Sequence, residues 1–412
     1  MTARSSDDAT FDLIVVGLGA MGSATVYQAA RRGLRVLGLD RHDPPHDLGS
    51  THAETRITRL AVGEGEQYLP FVARSHEIWR ELEAESGEPL LYQCGGLIVT
   101  EQQPVAGQRW HDFVIETDRV ARSAGIDFAV LDDPLDHRVP TALLGLEGKR
   151  IGHEPSAGLV LAERAVAVQL ALAADRGADV RTRERVTAVR AGAGGVEVVA
   201  GPRHYRADRV VLSAGPWLPG LIGGGDAGRL RVTRQTVFWF EVDDADRYRA
   251  DGFPFVMWIG DEDADYLGVF PLLPGTTPAL KVLGEQFVTD TTPDTVDRTV
   301  TAAEIDDIHR RLVGPRLAGV RPTCVRAEVC LYTNTPDDHF LIDWADESDR
   351  IMVVSPCSGH GFKHSAAIGE AVVEQMTTGR STLDLRPFGR DRLVRPAASS
   401  WPANQQIRPP SG

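Results

Sequence analysis

The chain has 412 residues, a net charge of −14 and an ordinary globular composition that is 42% apolar and 25% charged. This length allows about two or three domains and a large buried core. The acidic balance argues against nucleic acid or an anionic membrane as a general partner, although a few local cations can still bind a small anion. The four cysteines form no C-x-x-C pair and no cluster with zinc spacing, so we expect neither a disulfide scaffold nor a metal site.

The N-terminal stretch MTARSSDDAT carries acids and lacks an apolar core. No run of the chain approaches the roughly 18 apolar residues that a membrane span requires. We therefore expect no signal peptide and no membrane span, and a reducing, cytoplasmic compartment is the default expectation.

A strand, a helix and a second strand open the chain in the order of a dinucleotide-binding unit. Phe11–Val16 is a short β-branched run typical of a buried parallel strand. Ala20–Arg32 is rich in alanine and free of proline, which predicts a helix, and Gly33 is placed to end it in the left-handed conformation. Arg35–Leu39 is a second apolar strand.

Three glycines between these elements form the motif G-x-G-x-x-G. Gly17 permits the tight turn, Gly19 the approach of a pyrophosphate, and Gly22 the close packing of the helix on the strand, while the helix N-terminus offers N–H groups to the phosphates. Asp40 lies 18 residues after Gly22, where a carboxylate can accept hydrogen bonds from a ribose diol. The pattern favours an ADP-ribose site over a turn that only packs, but it does not separate FAD from NAD.

The next segment, HDPPHDLGSTHAETRITRLAVGEG, carries several cations. Its Asp43–His46 run contains two prolines that forbid a helix. His52, Arg56 and Arg59 follow at spacings of 4 and 3 residues, which would place them on one helical face. Because the segment leaves the second strand of a dinucleotide fold, we expect these cations beside the cofactor crevice rather than on a solvated basic face.

The remainder of the chain alternates between strands and helices up to about residue 225 and then becomes rich in spaced strands up to about 329. This change predicts a second, mostly antiparallel sheet. The strand predicted within Arg206–Gly215 ends in small residues that would let the backbone approach a cofactor. The other predicted helices are Tyr68–Glu85, Trp110–Ala124, one within Gly158–Arg176, Thr301–Val313 with Thr301 as N-cap and Gly314-Pro315 as its end, and Ser365–Met376.

Five motifs then occur in a recognisable order: VVGLGAMGSA, DPPHDLGSTHAETRITRLAVGEG, SAGPW, VCLYTNTPDDHFLID and SGHGFKHS. In these motifs the chain resembles the monomeric sarcosine oxidase and N-methyl-tryptophan oxidase family, FAD-dependent amine oxidases of the D-amino-acid-oxidase type. The resemblance covers about residues 10 to 390 and implies an α/β fold of two domains. It implies a Rossmann-like FAD-binding domain (1–90, 151–225 and 330–390), a mostly antiparallel β-sheet substrate domain (91–150 and 226–329) and a loose tail (391–412).

The resemblance also implies roles for individual residues. The flavin would be tethered by a thioether to Cys330, which on its own would be interpreted as a small buried hydrophobic residue. Arg59 and Lys363 would hold the substrate carboxylate, the alternative being two structural ion pairs. His52 and Arg56 would lie beside the flavin ring and stabilise the negative charge of the reduced flavin.

Three further pocket residues follow from the resemblance. Lys281 would activate O2, the alternative being an exposed strand lysine, and Tyr332 would line the substrate pocket. Glu285 stands where sarcosine oxidase has a histidine, so it could favour a second amine or point away. The remaining implied cofactor contacts are Ala20, Met21, Arg41, Ser50, Thr51, Val186, Ala214, Gly215, Trp217, Gly359, His360, Gly361, Phe362 and Lys363.

We therefore expect an FAD-dependent oxidase of a secondary N-methyl or N-alkyl amino acid. A hydride would pass to flavin N5, O2 would be reduced to H2O2, and the imine would hydrolyse to an aldehyde and an amine. The alternatives are a pipecolate-type cyclic imino acid oxidase of the same family, an FAD dehydrogenase with another electron acceptor, and a flavin-binding sensor without turnover. The resemblance implies a monomer, and no metal is expected.

Overall fold

The computed structural model describes residues 10–102, 112–223, 227–260 and 262–394. Its strands form two eight-stranded sheets and one three-stranded sheet within those ranges. In chain order the strands are β1 (Thr10–Val16), β2 (Val36–Leu39), β3 (Thr55–Thr58), β4 (Leu91–Tyr92), β5 (Gly96–Glu101), β6 (Ala129–Leu131), β7 (Lys149–Glu154), β8 (Gly158–Leu161), β9 (Asp179–Arg181), β10 (Val186–Gly192), β11 (Gly195–Ala200), β12 (Arg203–Leu212), β13 (Arg231–Val242), β14 (Phe255–Trp258), β15 (Leu267–Phe270), β16 (Leu280–Leu283), β17 (Val320–Asn334), β18 (Leu341–Trp344) and β19 (Ile351–Ser355).

The helices contact all three sheets. None of those in the described ranges is both long enough and apolar enough to cross a bilayer. In chain order they are α1 (Ala20–Arg31), α2 (Leu69–Ser86), α3 (Phe113–Ala124), α4 (Ala162–Asp175), α5 (Pro219–Ile222), α6 (Ala302–Ile308), α7 (Gly314–Arg316) and α8 (Ser365–Thr378).

The first sheet carries the predicted dinucleotide unit. Strand β1 pairs in parallel with β12 on one side and β2 on the other, β2 pairs with β9, and β19 pairs in parallel with β12. Helix α1 contacts α4 and α8, and a Cβ at Gly369 of α8 would come within 2.6 Å of Ala24 in α1. Because the carboxyl ends of parallel strands meet at one edge, the loops after β1, β2, β12 and β19 come together there.

The second sheet has the order β17-β13-β16-β15-β14-β5-β7-β6, and every pair except β5 with β14 is antiparallel. The predicted α/β fold, with a Rossmann-like unit and a second, mostly antiparallel sheet, is therefore confirmed. The predicted domain boundaries stay a prediction. Strand β7 begins at Lys149, and β17 continues to Asn334 in its pairing with β13. Boundaries at 151 and 330 would cut both strands.

The cationic segment after β2 is not helical, so the prediction that its cations share a helical face is wrong. Thr55–Thr58 forms β3, which pairs with β8 in the three-stranded sheet. The β-branched residues of TRIT favour a strand. Two residues just before it, Ala53 and Glu54, have φ angles of 71° and 67°, a left-handed conformation that turns the chain into the strand.

Two helix-end predictions differ in outcome. Thr301 caps α6 through a capping box with Glu304, as predicted. The predicted stop at Gly314-Pro315 is wrong, because a π-helical turn, His309–Val313, leads into the short helix Gly314–Arg316, whose first turn tolerates proline.

Two further predictions concern the ends of described ranges. Helix α3 begins at Phe113, whereas Trp110, the predicted start, lies outside the described residues. The prediction of a loose tail from residue 391 is wrong for its first residues, because Arg390–Val394 forms a 3-10 helix in which Leu393 is buried. The rest of that tail lies outside the described residues.

Candidate active site

One long cavity opens at the edge where the parallel strands end. It continues from the loop after β1 to the second sheet, where Arg56, Arg59, Glu285, Cys330 and Tyr332 line it. The predicted cofactor contacts that line it are Gly17, Gly19, Ala20, Met21, Asp40, Arg41, Ser50, Thr51, Val186, Ala214, Gly215, Trp217, Gly359, His360, Gly361, Phe362 and Lys363.

The three motif glycines differ in what surrounds them. Gly17 has a φ angle of 89°, and a Cβ there would lie 2.6 Å from Ala214. A Cβ at Gly22 would lie 1.7 Å from the carbonyl oxygen of Gly17, so this glycine lets α1 pack on the turn. A Cβ at Gly19 would meet nothing nearer than Thr51 Oγ1 at 3.7 Å, which leaves open space in front of the N-terminus of α1.

Asp40 closes the far side of this turn. Its Oδ2 accepts a hydrogen bond from Leu18 N at 2.8 Å, and its Oδ1 accepts one from His42 N at 2.8 Å. Each carboxylate oxygen keeps a second lone pair, so Asp40 can still accept from a diol in the cavity. Beyond it, Arg41 and Trp217 both contact Asp294, at 2.8 Å and 3.0 Å, and form one wall of the cavity.

Cys330 on β17 lies between two cations at the other end of the cavity. Its Sγ is 3.9 Å from His52 Nδ1 and 3.9 Å from Arg56 Nη2. Burial alone would raise the pKa of the Cys330 thiol, but His52, Arg56 and Lys281 lower it. The arrangement favours a thiolate, the nucleophilic form of cysteine.

His52 is held by an acid that the sequence did not single out. Its Nδ1 lies 2.9 Å from Glu328 Oε2, and Glu328 also pairs with Arg326. Burial opposes the charge of His52, but Cys330 and Glu328 raise its pKa to about 9. His52 Nε2 is buried without a hydrogen-bond partner among the described residues, and the side chain lies behind the cavity wall.

Arg59 and Lys363 meet at one carboxylate, that of Glu64. Arg59 Nη2 donates to Glu64 Oε2 at 2.7 Å, and Lys363 Nζ donates to Glu64 Oε1 at 2.9 Å. Burial would raise the pKa of Glu64, but the two cations and His360 hold it well below its ordinary value. Burial lowers the pKa of Lys363 to about 8 against the opposing charge of Glu64.

A second acid fixes the backbone of this cationic loop. Glu154, on β7, accepts hydrogen bonds from Leu60 N at 2.7 Å and Ala61 N at 3.1 Å. The carbonyl oxygen of Ala61 in turn accepts a hydrogen bond from Arg59. Arg59, only 1% exposed, is therefore held at both ends by groups the sequence did not point to.

Glu285 points into the cavity beside two tyrosines. Tyr332 Oη donates to Glu285 Oε1 at 3.0 Å, and Tyr266 lines the same wall. Burial and the nearby Glu285 charge raise the pKa of both tyrosines well above the ordinary value, so both are neutral. The apolar part of this wall was not predicted: Ile57, Met257, Phe270 and Leu283.

Lys281 is buried, not an exposed strand lysine. Its Nζ donates to Ala53 O at 2.6 Å, to Thr55 O at 2.7 Å and to Thr55 Oγ1 at 3.1 Å, and it lies 4.1 Å from the ring centre of Phe270. Burial and Arg56 lower its pKa well below that of a free lysine. The side chain lies behind the described cavity wall and supports the left-handed turn at Ala53.

The described residues include no group of three or more His, Cys, Asp or Glu side chains arranged to hold a metal ion.

Comparisons with known sequences give a consistent result. A family model described as FAD dependent oxidoreductase (DAO) matches residues 12–375. The chain is 33% identical over 385 residues to monomeric sarcosine oxidase from Bacillus sp. (strain B-0618), covering 93% of this chain and 96% of that protein. It is 32% identical over 388 residues to N-methyl-L-tryptophan oxidase from Yersinia pestis (strain Pestoides F), covering 93% and 99%.

Solved structures share the fold at lower identity. NikD, described as an unusual amino acid oxidase essential for nikkomycin biosynthesis, superposes with a TM-score of 0.78 at 22% identity, covering 92% of this chain and 97% of that one. L-proline dehydrogenase from P. horikoshii superposes with a TM-score of 0.74 at 18% identity, covering 92% and 96%. These similarities concern the fold alone.

Proposed function

The chain belongs to the FAD dependent oxidoreductase family and, within it, to the group of monomeric sarcosine oxidase and N-methyl-L-tryptophan oxidase, and on this premise we propose that it is an oxidase of a secondary N-methyl or N-alkyl amino acid. The observation that carries the proposal is the meeting of Arg59 and Lys363 at the same end of the cavity as Cys330. Two cations that converge on a carboxylate suit an amino acid, and the neighbouring thiol marks the position of the cofactor ring. A monomer is proposed by analogy with the sarcosine oxidases.

The cavity fits an FAD molecule. The open space at Gly19 leaves room for a pyrophosphate at the helix N-terminus, and Asp40 lies where a ribose would follow. Ser355 Oγ, at the end of β19, is buried without a hydrogen-bond partner among the described residues, and Ser355 lines the same cavity. The other predicted contacts line the same cavity, except Gly22, which packs against the turn at Gly17.

Cys330 would hold the cofactor covalently. A thiolate is the form that can make a thioether bond, and His52 and Arg56 both favour it. The same two cations would stabilise negative charge on the reduced cofactor ring. When bound, FAD would supply the redox chemistry, namely hydride acceptance from the carbon next to the substrate nitrogen and electron transfer to O2 with release of H2O2.

The substrate carboxylate would be bound by Arg59 and Lys363, with the arginine fork giving direction and the lysine a point charge. Glu64 pairs with both cations and compensates their buried charge. Tyr332 would close the pocket over the amine, and the apolar wall would take the rest of the substrate. Lys281 would contribute positive charge to the reaction with O2 from behind the wall.

The test is a substrate panel read by peroxide release and product analysis. N-methyl amino acids should give formaldehyde and H2O2 in equal amounts. A cyclic imine from pipecolate or proline, without formaldehyde from any N-methyl substrate, would favour the cyclic imino acid alternative. Substrate loss without peroxide would indicate a dehydrogenase with another acceptor, and no loss of any secondary amino acid would contradict the proposal.

A further inference from the structure

A secondary amino acid arrives in water with its nitrogen protonated, because such ammonium groups lose their proton only at alkaline pH, as lysine does. Oxidation of the adjacent carbon needs the nitrogen lone pair to form the imine. Some group in the cavity must therefore receive a proton before the reaction, and the described side chains at the substrate end can be compared for this task.

Most candidates are unsuitable because of their contacts. Glu64 is held as an anion by Arg59 and Lys363, which makes it a weak proton acceptor. The ring nitrogens of His360 lie 3.0 Å from Asp338 O and 3.9 Å from Glu64 Oε1, so both face groups other than the substrate amine. Cys357 is a half-buried thiol that accepts a hydrogen bond from the backbone N–H of Thr333.

Glu285 is placed differently. Its Oε1 accepts a hydrogen bond from Tyr332 Oη at 3.0 Å. A Cβ added at Gly359 would lie 3.5 Å from the same Oε1 and 3.0 Å from the Tyr332 ring. The missing side chain at Gly359, where φ is 84°, thus keeps a space open between these groups and the loop that carries Lys363. In an amino acid only one carbon separates the carboxylate from the nitrogen, so a carboxylate bound at Lys363 brings the ammonium group towards this space.

We propose that Glu285 is a catalytic residue that accepts the proton of the substrate ammonium group, an inference that rests on the proposed function. The N–H bond breaks, an O–H bond forms on the Glu285 carboxylate, and the nitrogen keeps the electron pair. Tyr332 donates a hydrogen bond to Oε1 of this carboxylate. The charged and titratable groups near Glu285 include Tyr332 from β17, Tyr266 just before β15, and Lys363, which is itself paired with Glu64.

The kinetic test measures the rate of anaerobic flavin bleaching at low concentrations of an N-methyl amino acid. It uses the holoenzyme from about pH 5.5 to about pH 7, where the free substrate stays protonated and Lys363, with a pKa of about 8, stays mostly charged. The bleaching rate should change less than about twofold over this range in the wild type and in Glu285→Asp. The same is expected of the control Glu262→Gln, which alters an exposed residue. In Glu285→Gln the bleaching rate should rise about tenfold per pH unit, because only the small fraction of substrate with a neutral amine then reacts. A tenfold slope in the wild type, or parallel profiles for the wild type and Glu285→Gln, would overturn the proposal.

A binding measurement provides a readout without turnover. The ligand is 2-aminoisobutyrate, whose Cα carries no hydrogen to transfer, and calorimetry in two buffers of different ionisation enthalpy counts the protons released. The wild type should release none, and Glu285→Gln should release about one proton per ligand bound. Equal release from both proteins would contradict the role of Glu285. If no secondary amino acid bleaches the wild-type flavin, the proposed function fails, while proton release still tests Glu285.

Discussion

Glu64 Oε1 accepts a hydrogen bond from Lys363 Nζ at 2.9 Å, so a cation proposed to bind the substrate carboxylate already has a carboxylate partner inside the protein. Replacement of Glu64 by Gln leaves Lys363 and Arg59 buried with less compensation. We expect Glu64→Gln to unfold more easily, by about 3 kcal/mol, and to bind small carboxylates about tenfold more tightly. Thermal unfolding and spectral titration of the flavin measure both, with Glu370→Gln, which loses an ion pair to Arg74 outside the cavity, as control. Weaker carboxylate binding would show that Glu64 does not compete for this site.

The Arg59 guanidinium should bind the substrate carboxylate through two N–H groups at once and not through its charge alone. Arg59→Lys keeps a cation but loses the two-pronged contact, so kcat/KM for an N-methyl amino acid should fall about 100-fold. The value for the matched amine without a carboxylate should change less than about twofold. Steady-state peroxide release measures both, with Arg74→Lys as control. An equal loss for both compounds would point to a structural role for Arg59.

The two cysteines that line the cavity provide a matched pair for the covalent bond. Cys330 lies between His52 and Arg56, whereas burial raises the pKa of the Cys357 thiol. We expect Cys330→Ala to release FAD on acid precipitation and Cys357→Ala to retain it with an FAD-sized mass increment. Retention in Cys330→Ala would exclude this cysteine as the attachment point.

Lys281 links the O2 reaction to pH. Because burial and Arg56 lower its pKa, it loses its charge at a lower pH than a free lysine, so reoxidation of the reduced enzyme should slow as pH rises through that lowered value. Lys281→Arg should remove this pH dependence, because arginine stays charged. Lys281→Met should slow reoxidation at least about tenfold while anaerobic reduction changes little. Equal slowing of both half-reactions would assign Lys281 only to its bonds with Ala53 and Thr55.

The motif glycines should differ in what they support. A Cβ at Gly22 would collide with Gly17 O at 1.7 Å, so Gly22→Ala should disrupt the first strand and helix and yield little folded protein. Gly19→Ala has room in the chain itself and should fold with a melting temperature near that of the apoprotein, yet incorporate at least about tenfold less FAD. Circular dichroism and flavin content separate the two effects. Normal FAD incorporation by Gly19→Ala would contradict the proposed pyrophosphate position.

The N-terminal unit could be predicted because its signals are local. The glycine motif, the helix and the acid lie within thirty residues, and Gly33 adopts the expected left-handed conformation with a φ angle of 76°. The spacing of His52, Arg56 and Arg59 led to the wrong prediction of a shared helical face. A periodicity over only eight residues cannot outweigh the pairing of this segment with β8.

The pocket partners could not be predicted, because they depend on contacts between remote segments. Glu64 and Lys363 are 299 positions apart in the chain, and no local pattern marks Glu64 as their shared acid. Tyr266 reaches the pocket only through the order of the second sheet. The depth of Lys281 likewise follows from its position behind the turn at Ala53, which sequence spacing does not encode.

The most direct test of the proposed function is anaerobic titration of the FAD-loaded protein with three matched compounds. These are an N-methyl amino acid, the corresponding amine without the carboxylate, and the corresponding carboxylic acid without the amine. We expect the first compound to bleach the flavin fully and the second to bleach it slowly at most. The third should only shift the flavin spectrum by binding at Arg59 and Lys363. Equal bleaching by the first two compounds, or no bleaching by any N-methyl or cyclic secondary amino acid, would contradict the proposed function.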